Sequence, residues 1–207
     1  MKMREIIVNR AAEMFLTLGF KSVTMDDIAA ELGISKKTIY QHFGNKEELV
    51  EAATMHLFVK LSSGIDDIRD RLLNPVEEMF TIRNYMMQSL HDESASPLYQ
   101  LSKFFPKIMI CLRTKQFEKM HTCMKQNLNR GIELGIYRDD LDIEFISRIY
   151  FTGLTGIKDT DIFPNNVFAP KVLTELYLEY HLRSIVTPKG LETLNRILAE
   201  DKIIFKK

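Results

Sequence analysis

Apolar residues in the first fifty positions recur every three or four residues, which is the spacing of a helix that buries one face. The first such stripe consists of Ile7, Ala11, Met14, Phe15 and Leu18. Glycines at positions 19, 33 and 44 then divide this part of the chain into short units. The pattern predicts several short amphipathic helices before residue 50.

Each of the next three units begins with a residue that commonly caps a helix N-terminus. Thr24, Ser35 and Asn45 occupy these positions, and an acidic residue follows Thr24 and Asn45 three positions later. These signals predict helices over about 25–32, 36–43 and 46–63. Because only a three-residue turn separates the first two, the pattern predicts a helix-turn-helix.

The chain beyond residue 64 also shows helical spacing, and all six prolines lie in this part. Further helices are predicted over about 75–90, between Pro97 and Pro106, over 106–133, 142–157 and 170–186, and in a short segment after Pro188. No run of alternating β-branched residues competes with them. The expected fold class is therefore all-α.

Composition narrows the environments and partners that are expected. The 207 residues carry 28 Lys and Arg against 28 Asp and Glu, so bulk charge gives no attraction to nucleic acid. No apolar run approaches the roughly 18 to 20 residues of a membrane span, and the first residues lack the apolar stretch of a signal peptide. We therefore expect a soluble, cytoplasmic protein whose two cysteines, Cys111 and Cys123, are buried thiols.

Local charge favours DNA at one place, the segment from residue 35 to 46, which holds three lysines, one histidine and no acid. Ile39 and Phe43 lie four positions apart on the predicted helix and point inward. The outward residues are then Lys36, Lys37, Thr38 and Gln41, with parts of Tyr40 and His42. The second helix of a helix-turn-helix enters the major groove, and this polar face suits that environment.

Lys46 is informative because it lies in the first turn of a predicted helix. A cation there opposes the helix dipole by roughly 0.3 to 1 kcal/mol. A phosphate bound at the same helix end would turn this repulsion into an attraction. The position of Lys46 therefore indicates a phosphate contact.

The stretch TMDDIAAELGISKKTIYQHFGNKEELV closely resembles the DNA-binding signature of the tetracycline-repressor (TetR) family, within a match over about residues 7–50. The run GIELGIYRDDLDIEF at 131–145 is a second likeness. The resemblance implies an N-terminal three-helix DNA-binding domain at 1–46 and a larger helical domain at 47–207 for ligand binding and dimerisation. It also implies a ligand-responsive regulator, usually a repressor, that binds a pseudo-palindromic double-stranded operator.

The resemblance further assigns roles to individual residues of the segment. Thr24, Tyr40 and Lys46 look like phosphate anchors, which set register without reading sequence. Lys36, Lys37, Thr38 and His42 look like the set that faces the groove. The complete expected DNA-binding set is Thr24, Ser35, Lys36, Lys37, Thr38, Tyr40, Gln41, His42 and Lys46.

Three points in this set stay open. Many members of the family have glycine where this chain has Lys37, so the preferred base is uncertain at that position. Tyr40 could instead cover the small core of the domain. His42 could be a neutral residue at a helix end.

A homodimer is expected because one recognition helix contacts few base pairs, whereas a two-fold dimer doubles the contacts. The family pairs its last two long helices with their symmetry mates. The residues expected at this interface are Ile146, Ile149, Tyr150, Gly153, Leu154, Ile157, Val172, Leu176 and Tyr180. The alternative is that they belong to the core of a monomer.

A region rich in methionine and aromatic residues lies before those helices and suits a pocket for a hydrophobic small molecule. The residues expected to line it are Arg83, Met86, Met87, Phe104, Phe105, Met109, Met120, Met124 and Phe151. The same composition suits an ordinary core. Polar groups on a ligand could be oriented by Arg83, His91, His121 and Asn127, which could equally be solvated.

Enzymatic function is not expected, because the sequence contains no zinc-protease motif, nucleophile elbow, phosphate-binding loop or paired Cys-x-x-Cys. No cofactor and no metal are expected either. The remaining competitor is a helical adaptor that binds another protein and does not bind DNA.

Overall fold

A computed structural model describes residues 2–90 and 96–204 of the chain, and within them all regular structure is helical. The helices are α1 (Met3–Leu18), α2 (Met25–Leu32), α3 (Lys36–Tyr40), α4 (Lys46–Arg69), α5 (Pro75–Ser89), α6 (Ser96–Phe104), α7 (Pro106–Glu133), α8 (Ile143–Gly156), α9 (Pro170–Ile185) and α10 (Pro188–Ile204). One backbone bridge joins Tyr137 to Val186. The all-α prediction is confirmed. None of the described helices combines the length and apolar character needed to cross a bilayer.

The helices form two compact units. The first comprises the described residues of 1–63 and 93–116, and the second comprises those of 64–92 and 117–207. Helices α4 and α7 each begin in the first unit and end in the second. These compact units do not coincide with the DNA-binding and regulatory domains expected at 1–46 and 47–207. The boundary expected after residue 46 stays a prediction.

The first unit is built around the helix-turn-helix. Its core buries Ile7, Phe15, Ile28, Ile39 and Leu49 completely. Three residues from later in the chain, Leu101, Ile108 and Leu112, belong to the same core. The DNA-binding part expected from sequence therefore packs against α6 and the start of α7.

The second unit combines an apolar core with one buried polar network. Leu128, Tyr137, Leu178 and Leu182 are among its fully buried residues. Gly131 permits the closest packing, because a Cβ at that position would lie 2.0 Å from Cδ2 of the Tyr137 ring. The GIELGIY run is thus a packing motif in which a glycine accommodates an aromatic ring six residues later.

The buried network centres on Glu78, which is only 2% exposed. Arg130 Nη2 lies 2.5 Å from Glu78 Oε2, and Asn127 Nδ2 donates to Glu78 Oε1 at 2.8 Å. The Tyr137 hydroxyl donates to Asn127 Oδ1 at 2.9 Å. Burial raises the pKa of Tyr137 well above its usual value, and the nearby Glu78 acts in the same direction. The network links α5 to α7 and occupies Asn127, which was considered as a ligand contact.

Several boundaries and exposures differ from the sequence expectations. Helix α4 continues to Arg69 instead of ending near residue 63, because Gly64 is helical and leaves space for the Tyr85 ring. Helix α10 has 17 residues and is not short.

Two residues that were expected to be buried are exposed. Leu18 is the last residue of α1, and Cys111 lies on an outer face of α7. Cys123 is half-buried, and burial raises the pKa of its thiol.

Candidate nucleic-acid interface

Helix α2 begins with the capping box that the sequence predicts. Asp27 N donates to Thr24 Oγ1 at 3.2 Å, and Thr24 N donates back to Asp27 Oδ2 at 2.8 Å. The Thr24 hydroxyl also donates to Asp27 Oδ2 at 2.8 Å. These bonds lower the pKa of Asp27, so the carboxylate that orients Thr24 is ionised at neutral pH.

Helix α3 is short, and its N-terminus is capped in the same way. Ser35 Oγ accepts from Thr38 N at 3.1 Å and lies 2.8 Å from the Thr38 hydroxyl. Regular helix ends at Tyr40, earlier than predicted, although Phe43 N still donates to Ile39 O at 3.0 Å. Helical hydrogen bonding therefore extends close to the predicted end at residue 43.

The two faces of α3 differ in exposure as the sequence predicts. Ile39 and Phe43 are buried. Of the polar residues expected to face DNA, Lys36, Lys37, Gln41 and His42 are exposed and Thr38 is half-buried. Tyr40 is 44% exposed, and the Lys36 ammonium lies 6.0 Å from its ring centre. Much of the Tyr40 side chain is thus free of the core that it might have covered.

Two lysines of the expected set have partners within the protein, which the sequence did not indicate. Lys36 Nζ lies 2.8 Å from Asp26 Oδ2, and this hydrogen bond raises the pKa of the lysine. Lys46 Nζ donates to the carbonyl oxygen of Lys21 at 3.1 Å. Partial burial lowers the pKa of Lys46, while the nearby Asp27 opposes that shift.

The partners of Lys46 explain how a cation is tolerated in the first turn of α4. The carbonyl of Lys21 and the carboxylate of Asp27 offset the opposition of the helix dipole. Lys46 uses one of its three donors on the carbonyl, so the ammonium group can also donate to a phosphate. The position of Lys46 in the helix dipole does not by itself indicate this structural role.

His42 lies at the edge of the same surface. It borders a shallow depression whose other lining residues are Arg4, Phe43, Glu48, Glu51 and Ala52. The Arg4 guanidinium carbon lies 5.0 Å from the centre of the Phe43 ring. The depression is thus polar at its rim and apolar beneath, and it adds Arg4 to the basic groups near α3.

The helices expected at a dimer interface expose apolar side chains in the second unit. Ile149, Val172, Leu176 and Tyr180 are exposed, Tyr180 by 73%. The expected residues Ile146, Tyr150, Gly153, Leu154 and Ile157 are half-buried. Phe145, which was not predicted, is also exposed. On α9 the exposed residues recur every four positions, so they form one stripe.

Gly153, whose place at a dimer interface stays a prediction, lies close to another residue of its own chain. A Cβ at this position would lie 2.3 Å from the Tyr177 hydroxyl of the same chain. The hydroxyl donates to the carbonyl oxygen of Tyr150 at 2.9 Å. Gly153 therefore accommodates contact between α8 and α9 within one chain. Gly156, the last residue of α8, has open space around it.

The expected ligand-lining residues are divided between the two units. Phe104, Phe105 and Met109 belong to the first unit, and Arg83, Met86, Met87, Met120, Met124 and Phe151 belong to the second. Met124 and Phe151 are buried, and Phe151 packs edge-on against Phe117 with ring centres 5.3 Å apart. The expected ligand set stays a prediction.

Of the polar residues considered for orienting a ligand, Arg83 and His121 differ in the rings and carboxylates that lie near them. The guanidinium of Arg83 lies 5.0 Å from the Phe80 ring centre and 3.8 Å from Glu175. His121 Nε2 lies 3.1 Å from Glu144, whose pKa is lowered to about 2, chiefly by hydrogen bonds from Lys125 and Arg148. His91 lies outside the described residues. Arg83 and His121 both have a mixed apolar and charged setting, since the His121 ring also stacks on Phe117 with ring centres 5.3 Å apart.

A buried histidine of the second unit escaped the sequence analysis. His181 is 4% exposed, and its Nε2 has no hydrogen-bond partner among the described residues. Its ring centre lies 4.6 Å from that of Tyr150. Burial lowers the pKa of His181 to about 4, so the imidazole is neutral at physiological pH. In sequence His181 looks like any polar residue near a helix end, and no local signal marks it as buried.

Comparison with known proteins places this geometry among transcriptional regulators. Residues 7–53 match the sequence model of the family described as bacterial regulatory proteins, tetR family. The transcriptional repressor KstR2 of Mycobacterium tuberculosis is 30% identical over 151 residues, which cover 69% of this chain and 72% of the relative. KstR2 of Mycolicibacterium smegmatis is 25% identical over 193 residues, covering 90% of this chain and 92% of the relative.

The similarity in fold extends over almost the whole chain. The crystal structure of a transcriptional regulator from Cytophaga hutchinsonii superposes with a TM-score of 0.74 at 17% identity, covering 88% of this chain and 98% of the other. The relatives are regulators and not enzymes. Within the described residues, no group of three or more His, Cys, Asp or Glu side chains is arranged to hold a metal ion.

The buried imidazole predicts a pH dependence of stability. The pKa of His181 is near 4 in the folded protein and near 6.5 in an unfolded chain, so unfolding takes up a proton between these values. Stability is therefore fully present above about pH 6.5 and falls as the pH approaches 4. We expect His181 to account for a loss of roughly 2 kcal/mol between pH 7 and pH 5.

Denaturant titrations at both pH values, at one protein concentration, measure this loss. His181→Phe keeps the ring but cannot be protonated, so its stability should fall by about 2 kcal/mol less than that of the wild type. His42→Phe, at an exposed histidine, is the control, and its loss of stability between the two pH values should equal that of the wild type. Equal losses in wild type and His181→Phe would show that His181 is not held neutral by burial.

Proposed function

Because this chain belongs to the tetR family of bacterial regulatory proteins, we propose that it represses transcription from a pseudo-palindromic operator as a homodimer and that a hydrophobic small molecule releases it. Membership of the family makes it a DNA-binding transcriptional regulator. The observation that carries the proposal is the polar, exposed face of α3 opposite the buried Ile39 and Phe43.

The exposed face of α3 supports a division of roles among its residues. Lys37, Gln41 and His42 have no acidic partner among the described side chains and extend into solvent. Lysine can bind the O6 and N7 acceptors of guanine, and the Thr38 methyl can contact a thymine methyl. Thr24, Tyr40 and Lys46 are assigned to phosphates, which hold the helix in register on the duplex.

The exposed apolar side chains of α8 and α9 support the homodimer. Phe145 and Ile149 on α8, with Val172, Leu176 and Tyr180 on α9, offer more apolar surface than isolated exposed residues would. A two-fold axis would bring each such surface against its copy. Two recognition helices would then contact successive half-sites of a pseudo-palindrome.

The last part of the proposal is the hydrophobic effector. It rests on the methionine and aromatic residues of the expected ligand set and on the apolar setting of Arg83. An effector that binds one arrangement of the helices more tightly would lower affinity for DNA. Duplex binding measured against a panel of apolar compounds tests this part, and a panel without effect on binding would oppose it.

DNA recognition can be tested with duplexes selected from a random pool. We expect Lys37→Ala to lose about 1 to 3 kcal/mol of discrimination at one base position, because it removes a base contact. Lys46→Ala should weaken binding to all duplexes alike and reduce the salt dependence, because it removes a phosphate contact. Fluorescence anisotropy over a range of salt concentrations gives both quantities.

Lys115→Ala is the matched control, since it removes an exposed lysine on α7 and should change neither specificity nor salt dependence. No duplex enrichment by the wild type, or binding that is independent of salt, would favour a protein-binding adaptor over the proposed function.

The dimer can be tested by placing a charge in the exposed apolar stripe of α9. Leu176→Asp should convert a dimer into a monomer at micromolar concentration, because burying an unpaired carboxylate at an interface is costly. Val59→Asp is the control, since Val59 is also an exposed apolar residue on a helix but lies in the first unit. Light scattering after size-exclusion chromatography measures the mass, and a monomeric wild type or a dimeric Leu176→Asp variant would refute the assigned interface.

A further inference from the structure

Basic residues of the first unit fall into two groups according to their partners. Arg10 and Lys36 are paired with carboxylates, Arg10 with Glu13 and Glu31 and Lys36 with Asp26. By contrast, no described carboxylate lies within ion-pair distance of Lys21 or Lys103, and both lysines are exposed. Their charges are therefore available to an anionic partner.

A contact between α6 and the connection from α1 to α2 fixes the backbone near these lysines. Gln100 Oε1 accepts from the backbone N–H of Lys21 at 3.0 Å. The Gln100 side chain packs on Gly19, where a Cβ would lie 2.5 Å from Gln100 Nε2. The φ of Gly19 is +89°, a conformation that side chains other than glycine rarely adopt. The end of α6 is thus held beside Lys21.

Both ammonium groups border the same aromatic ring. Lys21 Nζ lies 5.0 Å from the centre of the Phe104 ring, and Lys103 Nζ lies 5.7 Å from it. Lys103 Nζ is also 5.6 Å from the centre of the exposed Tyr99 ring. Ring faces attract cations without neutralising them, so the two positive charges are kept together at the surface.

This cluster adjoins two expected phosphate anchors. Lys46 Nζ donates to the Lys21 carbonyl, and Thr24, the cap of α2, follows Lys21 by three residues. Lys21, Lys46 and Lys103, with Phe104 and Tyr99, therefore form one basic surface, which we call the α6 basic patch. Lys103, Phe104 and Tyr99 lie outside the residues that match the family's sequence model.

We propose that Lys21 and Lys103 bind DNA phosphates next to those held by Thr24 and Lys46, so that α6 adds to the DNA-binding surface. The inference rests on the proposed mode of DNA binding. A duplex backbone fits the patch because phosphates recur at regular spacing along it and can meet lysines that follow one another across a surface. These contacts raise affinity without distinguishing sequences.

The test compares wild type with the double variant Lys21→Ala/Lys103→Ala on a 30-base-pair duplex of mixed sequence, over a series of salt concentrations. Each lost phosphate contact reduces the slope of log affinity against log salt by about 0.9, so the double variant should lose about 1.8 per bound protomer. Lys115→Ala is the control and should keep the wild-type slope. Thermal unfolding followed by circular dichroism identifies any loss of folding, and Lys21→Arg/Lys103→Arg should retain the slope.

The outcomes separate this inference from the proposed function. A wild-type slope that the double alanine variant reduces, while the arginine variant and the control do not, supports the patch. Steep wild-type salt dependence with an unchanged slope in the double alanine variant overturns the patch and leaves the proposed function standing. Wild-type binding that does not depend on salt overturns both.

Discussion

Helix α3 is too short to hold its own shape, and the proposed DNA-binding surface depends on how this helix is held. Five residues of α3 cannot form a stable helix in water, because nucleation fixes several residues for a single hydrogen bond. Burial of Ile39 and Phe43 in the first unit's core supplies the missing stability. One face of α3 is fixed inward by these two side chains, and the opposite face is then presented to solvent at a defined angle.

The core that holds α3 extends well beyond the helix-turn-helix. Leu101, Ile108 and Leu112 join it from α6 and α7, and the Gln100 side chain packs on Gly19. The same packing places Lys103 beside Lys21. A segment that is distant in sequence thus both stabilises the helix-turn-helix and adds charge next to it, and one set of contacts accounts for both effects.

Much of the helical framework and the exposed polar face of α3 could be predicted because their signals are local. The capping box at Thr24 and the caps at Ser35 and Asn45 require only residues within four positions of one another. The length of α4 could not be predicted, because Gly64 is helical where it meets Tyr85, a residue twenty-one positions away. The buried Glu78 network and the burial of His181 could not be predicted for the same reason, because the residues around them come from other helices.

Only part of the environment of Lys46, an expected phosphate anchor, could be predicted from its neighbours in sequence. Its place in the first turn of a helix indicated an anion, yet the structure also gives it the carbonyl of Lys21. The helix position of Lys46 indicates one reason for this unusual cation, but the second reason lies in a turn twenty-five residues earlier. Side chains on the exposed face of α3 were easier to identify, because exposure follows directly from the positions of Ile39 and Phe43.

Photocrosslinking from the exposed face of α3 tests whether this face contacts DNA. A photoreactive amino acid at Gln41 would lie opposite the buried side chains, and the same group at the exposed Ile162 of the α8–α9 connection provides the comparison. With a duplex recovered from a random pool, we predict a crosslink to DNA from position 41 and none from position 162. Crosslinking from position 162 but not from position 41 would contradict the account.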